Sequence, residues 1–228
     1  MTAWAVLDRT AYQRYRFGMA STGIGQFPLD SLLAVLNIVG TAVFAASGAL
    51  IAAQLRLTLV TFGFFAFVTG VGGGTVRDLL IGAPVFWVQD PPFAMVCVGA
   101  AALVWVTPGS WWSPRALEWL DAIGLAAFSV FGTAKAMEYG VHPFIAVLMG
   151  IVTTCTGGII RDVLAGQPSI LLRPEIYVTA AALAAGLYPL LIVLGAPMTV
   201  AGLIAVTAGF TLRAVAMVKG LGLPGYKA

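Results

Sequence analysis

The sequence predicts an all-α membrane protein: seven transmembrane helices, set out as two inverted three-helix repeats followed by a seventh helix, with the second and fifth helices kinked. Three observations predict it. The 228 residues are 60% apolar and 9% charged, against roughly 25% charged in a soluble domain, so charged groups are too few to cover a water-soluble globule of 23.7 kDa. Uncharged runs recur at lengths that suit the roughly 20 residues a helix needs to cross a bilayer. A Gly-Gly-x-x-Arg-Asp motif then returns at an offset of 84 residues.

Residues 1–30 carry Arg9, Arg14 and Arg16 without an apolar run of signal-peptide quality and read as an N-terminal tail. The uncharged run 31–55 is the first span, 57–76 the second, and 91–114 the third, its helical part ending near Pro108 and Gly109. The first repeat therefore covers 31–109. A fourth span, about 117–138, must hold Asp121 and Lys135 within or near its ends, and 143–160 makes a fifth. The uncharged run 176–212 is too long for one helix, and Gly195, Ala196 and Pro197 divide it. This gives a second repeat over 115–194, a seventh helix over 198–219 and a C-terminal tail over 220–228.

Seven spans place the termini on opposite faces. Arg56, Arg115, Arg173, Lys219 and Lys227 share the C-terminal face, whereas the connections on the other face hold essentially Asp90 alone. The positive-inside rule puts the C-terminus in the cytoplasm and the N-terminus outside. Trp105, Trp111, Trp112 and Trp119 gather around the third connection, where indoles favour the headgroup level. The excess charge of +3 is too small and scattered for nucleic acid. Cys97 and Cys155, in separate apolar runs, read as packing residues, and His142 before Pro143 reads as a helix-end residue.

The repeat is the most informative feature. Gly73-Gly74-Thr75-Val76-Arg77-Asp78 returns as Gly157-Gly158-Ile159-Ile160-Arg161-Asp162, and the same offset superposes Gly40 on Gly124, Phe44 on Phe128, Gly48 on Gly132 and Thr69 on Thr153. A unit of three helices ends on the face opposite its start, so its successor inserts upside down, the inverted-repeat plan of many transporters.

Gly70, Gly72, Gly73 and Gly74 interrupt the second span, as Gly157 and Gly158 do the fifth. Each glycine costs a helix about 1 kcal/mol relative to alanine, which predicts local unwinding; close helix packing is the alternative. Unwound backbone around Gly73 and Gly157 would offer carbonyls to potassium or another weakly hydrated monovalent cation. Thr75 and Asp78 are spaced to cap a restarted helix.

Arg77, Asp78, Arg161 and Asp162 are expensive inside a membrane unless they face protein or water. Neighbours at i and i+1 do not face each other on a helix, so each is expected to find a partner elsewhere, stabilising the kink or pairing across the repeats. Lys135 has no counterpart, the repeat placing it opposite Ile51. Its ammonium either snorkels to the interface or turns inward as a gate or a site for an anionic lipid headgroup. Asp121 lies 14 residues earlier near the same helix face, so that Asp121, Ser129 and Lys135 form one polar stripe. Arg213 reads as an interface anchor.

The doubled motif, with GGGTVRDLLIG in the second span and GGIIRDVLAG in the fifth, resembles the trimeric intracellular cation channels and their prokaryotic relatives over about residues 32–219. The resemblance implies a homotrimer in a prokaryotic cell membrane. Each subunit would carry its own pore, passing potassium and to a lesser degree sodium, lined by the kinked second and fifth helices with the first and fourth. Gly72, Gly73, Gly74, Gly157 and Gly158 would stand near the ion path, and Lys135 matches the basic position of the fourth helix. Animal members carry a further basic residue one turn on; Tyr139 stands there in this chain, which argues against phosphoinositide control.

Two function classes follow from the residues. The first is a passive monovalent cation channel without a cofactor, potassium or sodium being the permeant ion. The second is a secondary transporter of a small zwitterion such as glycine, because a broken helix offers its dipole to a carboxylate and its carbonyls to an amine. An intramembrane enzyme is set aside, since the chain has no HExxH, GxSxG or paired-carboxylate cluster. Small-residue faces at 99–102 and 180–186 are candidates for contacts between subunits.

Overall fold

The computed structural model describes residues 26–113, 115–172 and 175–224, with side chains from residue 32 onward except that of residue 172. Residues 1–25 of the N-terminal tail, with Arg9, Arg14 and Arg16, and also Arg173 and Lys227, lie outside the described residues. The described residues form eight helices: α1 (Gln26–Gln54), α2 (Leu59–Leu80), the single turn α3 (Phe86–Gln89), α4 (Pro92–Val106), α5 (Ala116–Glu138), α6 (Pro143–Leu164), α7 (Val178–Val193) and α8 (Met198–Lys219). Helix α1 starts five residues ahead of the uncharged run. The long run near the C-terminus divides at Gly195–Pro197 into α7 and α8.

Five of these, α1 from Leu32 together with α2, α5, α6 and α8, are long and apolar enough to cross a membrane; the chain is a multi-pass integral membrane protein. Helices α4 and α7, of 15 and 16 residues, are the shorter apolar members. Their ends follow local chemistry. Thr58 caps α2 by accepting from Thr61 N at 3.5 Å. His142 caps α6, its Nδ1 accepting from Phe144 N at 3.3 Å, with Pro143 in the first turn. Gly82 and Gly166, 84 residues apart, close α2 and α6 at φ 68° and 64°, a left-handed conformation glycine adopts without a Cβ penalty.

Helix α5 is the most enclosed of the five long spans, 83% of its apolar stretch being buried against 33% for α8. It packs on α1, α6, α7 and α8. The contacts between the two halves are reciprocal. Phe44 and Phe128 stack with ring centroids 5.4 Å apart; a Cβ at Gly40 would meet Phe128 at 2.5 Å and one at Gly124 would meet Phe44 at 2.7 Å. A Cβ at Gly73 would overlap Thr153 O, and one at Gly157 would lie 2.8 Å from Thr69 O. Each pair maps onto its partner by the 84-residue offset, the pattern a two-fold relation produces.

These contacts correct the expectation for the glycines. Both α2 and α6 are helical without interruption through Gly70–Gly74 and Gly157–Gly158, so the unwound backbone expected around Gly73 and Gly157 is not formed and its carbonyls stay within helices. The physical reason is that a missing side chain lets α2 and α6 approach to backbone contact, while an intact helix keeps its amides satisfied in lipid.

Candidate functional site

Two buried charge clusters occupy matching places in the two halves. In the first, Asp78 Oδ1 accepts from Arg77 Nε at 2.9 Å and lies 2.8 Å from Arg77 Nη2 and 2.9 Å from Lys135 Nζ. Asp78 Oδ2 accepts from Phe86 N at 3.0 Å, which ties the turn after α2 back to the helix. The Arg77 guanidinium sits 4.8 Å from the Phe131 ring centroid and 6.0 Å from that of Phe86. Arg77 and Asp78 are completely buried.

In the second, Arg161 Nε donates to Asp162 Oδ1 at 2.8 Å, and Arg161 Nη1 donates to Asp121 Oδ1 at 2.9 Å and to Ser47 Oγ at 3.0 Å. Asp162 Oδ2 accepts from Ile170 N at 3.1 Å, the counterpart of the Phe86 bond. The clusters differ in what the halves lend each other. Lys135 on α5 reaches Asp78 on α2, and Ser47 on α1 reaches Arg161 on α6. The offset sets Ser47 opposite Phe131, Asp121 opposite Asn37 and Lys135 opposite Ile51. Arg77, Asp78 and Lys135 together carry one excess positive charge, with Glu138 at the end of α5 near enough to act on both cations; Asp121, Arg161 and Asp162 carry one excess negative charge.

The expected partners change accordingly. Each Arg–Asp pair of sequence neighbours does bond directly, because the arginine side chain is long enough to fold its fork onto the adjacent carboxylate, and each pair also takes partners from other helices. Thr75 and Asp78 form no capping box: Thr75 Oγ1 donates to Val71 O at 2.8 Å and accepts from Trp87 Nε1 at 2.9 Å. The Lys135 ammonium turns inward onto Asp78 rather than snorkelling. The stripe on α5 resolves into two ends, Asp121 in one cluster and Lys135 in the other, about 21 Å apart along the helix. Ser129 lies between them, buried, its hydroxyl without a hydrogen-bond partner.

Among the predicted glycines, Gly72 faces Ile160 and Gly74 lies under the Phe86 ring. Gly158 is different: a Cβ there would sit 3.6–3.7 Å from Asp121 Oδ1, Arg161 Nη2 and the Tyr177 hydroxyl, an ordinary contact distance. Arg213 is not an interface anchor. It is buried, lies 2.6 Å from Glu175 Oε2 and covers the Tyr177 ring at 5.4 Å, so α8 braces the connection that follows α6. Sequence reasoning missed Glu175, Tyr177, Ser47 and Phe131. It also missed Asn37, Thr41 and Thr154, whose buried side-chain oxygens, like that of Ser129, have no hydrogen-bond partner. Comparing offset positions for polarity, rather than identity, points to Asn37, which lies opposite Asp121. Among the described residues no group of His, Cys, Asp or Glu has the makings of a metal centre.

The sequence model of a family described as glycine transporter matches residues 34–108 and 118–193, the two halves without the seventh helix. An inner membrane protein YadS of Escherichia coli, of the UPF0126 group, is 47% identical over 151 residues, 64% of this chain and 72% of its own. A UPF0126 membrane protein of Vibrio cholerae is 44% identical over 156 residues, 66% of this chain; the match spans 64% of that protein, just under two thirds of its length. In three dimensions the chain is similar to the trimeric intracellular cation channel orthologue from Rhodobacter sphaeroides, with a TM-score of 0.78, 39% identity, and coverage of 84% of this chain and 100% of the other. The chain belongs to the family that the glycine transporter model and the UPF0126 bacterial membrane proteins define, which shares its fold with the prokaryotic trimeric intracellular cation channels.

Proposed function

We propose that the protein is a passive channel for monovalent cations, preferring potassium to sodium, that works as a homotrimer with a pore in each subunit. The observation that carries this reading is the pair of buried charge clusters at the two ends of α5, because ionisable groups inside membrane-spanning helices mark ion pathways. The unpartnered oxygens of Asn37, Thr41, Ser129 and Thr154 support it, since buried polar atoms of this kind call for water or an ion. The Rhodobacter neighbour, described as a cation channel, points the same way.

The seven apolar helices form two inverted three-helix units plus α8, a reading supported by the reciprocal Phe44–Phe128 and Gly73–Thr153 contacts. The ion passes Ser129 and Asp121 on α5 and the face of α6 at Gly158, where a Cβ would still have ordinary contact distances; Gly72, Gly73, Gly74 and Gly157, against which neighbouring atoms are closely packed, shape the wall of the path rather than its width. Since α2 and α6 stay helical there, side-chain oxygens rather than freed carbonyls replace the hydration shell. Lys135, held by Asp78, sets the electrostatic barrier at its end. Arg56, Arg115 and Lys219 favour a cytoplasmic C-terminus; a C-terminal reporter that reads as external would reverse this orientation.

The description of the family's sequence model favours a second reading, a secondary transporter of a small zwitterion such as glycine. Purified protein in a planar bilayer separates the two. The channel gives unitary currents that reverse at the potassium equilibrium potential. Saturable uptake of labelled glycine into liposomes without such currents sinks the channel and establishes the transporter.

A further inference from the structure

The end of α1 and the connection into α5 enclose a cavity of about 280 Å³. Leu50, Ala53, Trp112 and Leu117 make its apolar wall, and Gln54 and Ser113 stand among them. Two arginines adjoin this lining. Arg56 follows Gln54 by two residues, its amide donating to Ala53 O at 3.0 Å. Arg115 directly precedes α5, its amide donating to Ser113 Oγ at 3.3 Å. Both are exposed, and neither has an acidic partner among the described residues.

Arg56 also occupies an unexpected backbone conformation. It is the non-glycine residue with positive φ among those described, at 53°, in the left-handed region where a Cβ is disfavoured. The offset pairs it with Gly140, at φ 77°, so the other half uses glycine where this half holds an arginine. Arg115 is paired with Ser31. The corner, at the join of the two halves, thus carries two cations where the related positions, Gly140 and Ser31, carry none, at the expense of backbone strain. Indoles flank it: Trp112 Nε1 donates to Thr107 Oγ1 at 2.9 Å and Trp111 is 75% exposed, as befits the headgroup level.

We propose that this corner binds an anionic phospholipid, Arg56 and Arg115 holding the phosphate and the apolar wall receiving the start of an acyl chain. Exposed guanidinium groups without an acidic partner among the described residues match a phosphate, and an apolar wall built from the residues that adjoin them in the chain suits a lipid rather than a soluble anion.

The test uses the full chain purified in neutral detergent and titrated with phosphatidylglycerol or phosphatidylcholine of the same acyl chains, retained lipid being counted by native mass spectrometry. Wild type retains phosphatidylglycerol selectively. Arg56→Gly and Arg115→Gln each reduce that selectivity about fivefold, the scale of one basic residue at an anionic surface. Arg56→Gly relieves the strain, so its melting temperature without added lipid holds or rises while selectivity falls. Ala53→Phe fills the cavity and lowers retention with both arginines in place. Undiminished selectivity in Arg56→Gly, unchanged retention in Ala53→Phe, or displacement of the lipid by millimolar inorganic phosphate overturns the proposal.

Discussion

Asp78 is held from three directions, by Arg77 beside it, by Lys135 from α5 and by the amide of Phe86 across the turn. Removing its charge leaves the buried Arg77 and the part-buried Lys135 facing each other, with Glu138 at the end of α5 as the acid left near both, whereas removing Lys135 leaves Asp78 still bonded to Arg77 and to an N–H. The two substitutions should therefore differ. Asp78→Asn is expected to destabilise by about 3–5 kcal/mol, the scale for an uncompensated buried charge. Lys135→Met should cost clearly less, its side chain being 14% exposed. Thermal unfolding of the purified variants in one detergent measures both; equal losses would mean that Lys135, not Arg77, is the main counter-charge. The partnership itself was not legible in the sequence. Residues 78 and 135 belong to different halves, and local pattern shows that an inward-turned lysine needs an acid without showing which one. For Arg213 a position near the end of an apolar run suited an interface, and only the packing of α8 on the Glu175 connection turns it inward.

At the scale of helices, glycine carries two meanings that composition does not separate: it weakens a helix, and it lets two helices touch. The spans were legible because lipid forbids charge over a fixed length, and the 84-residue offset was legible because it repeats identities. The choice between unwinding and contact depends on what lies opposite, and opposite Gly73 lies Thr153 O. A methyl group there meets backbone, which cannot rotate away. Gly73→Ala should cost about 1–3 kcal/mol, as for overpacking a tight interior. Gly158→Ala, with its Cβ at 3.6–3.7 Å from the nearest atoms, should be neutral or stabilising by up to about 1 kcal/mol through helix propensity. The same unfolding assay decides; a Gly73→Ala protein as stable as wild type would revive the flexible, unwound helix.

Across the whole molecule, each half is chemically incomplete. The first half supplies Asp78 and Ser47, and the second supplies Lys135 and Arg161, so the Asp78–Lys135 and Ser47–Arg161 contacts both cross between halves. The Phe44–Phe128 stack and the Gly73–Thr153 and Gly157–Thr69 contacts cross in the same way. A half inserted alone would expose buried ionisable groups to lipid or to water defects, at a cost of several kcal/mol per group, and would leave glycine-lined faces without the helix they fit. Neither residues 1–112 nor residues 113–228 should accumulate as a stable fragment when expressed singly. Co-expressed, the two should recover each other through the reciprocal interface and co-purify on a tag carried by one of them. Asp78→Asn in the first fragment should weaken that recovery. If either half accumulates alone at the level of the intact chain, the buried charges are satisfied within halves and the interdependence argued from the cross-half contacts is wrong.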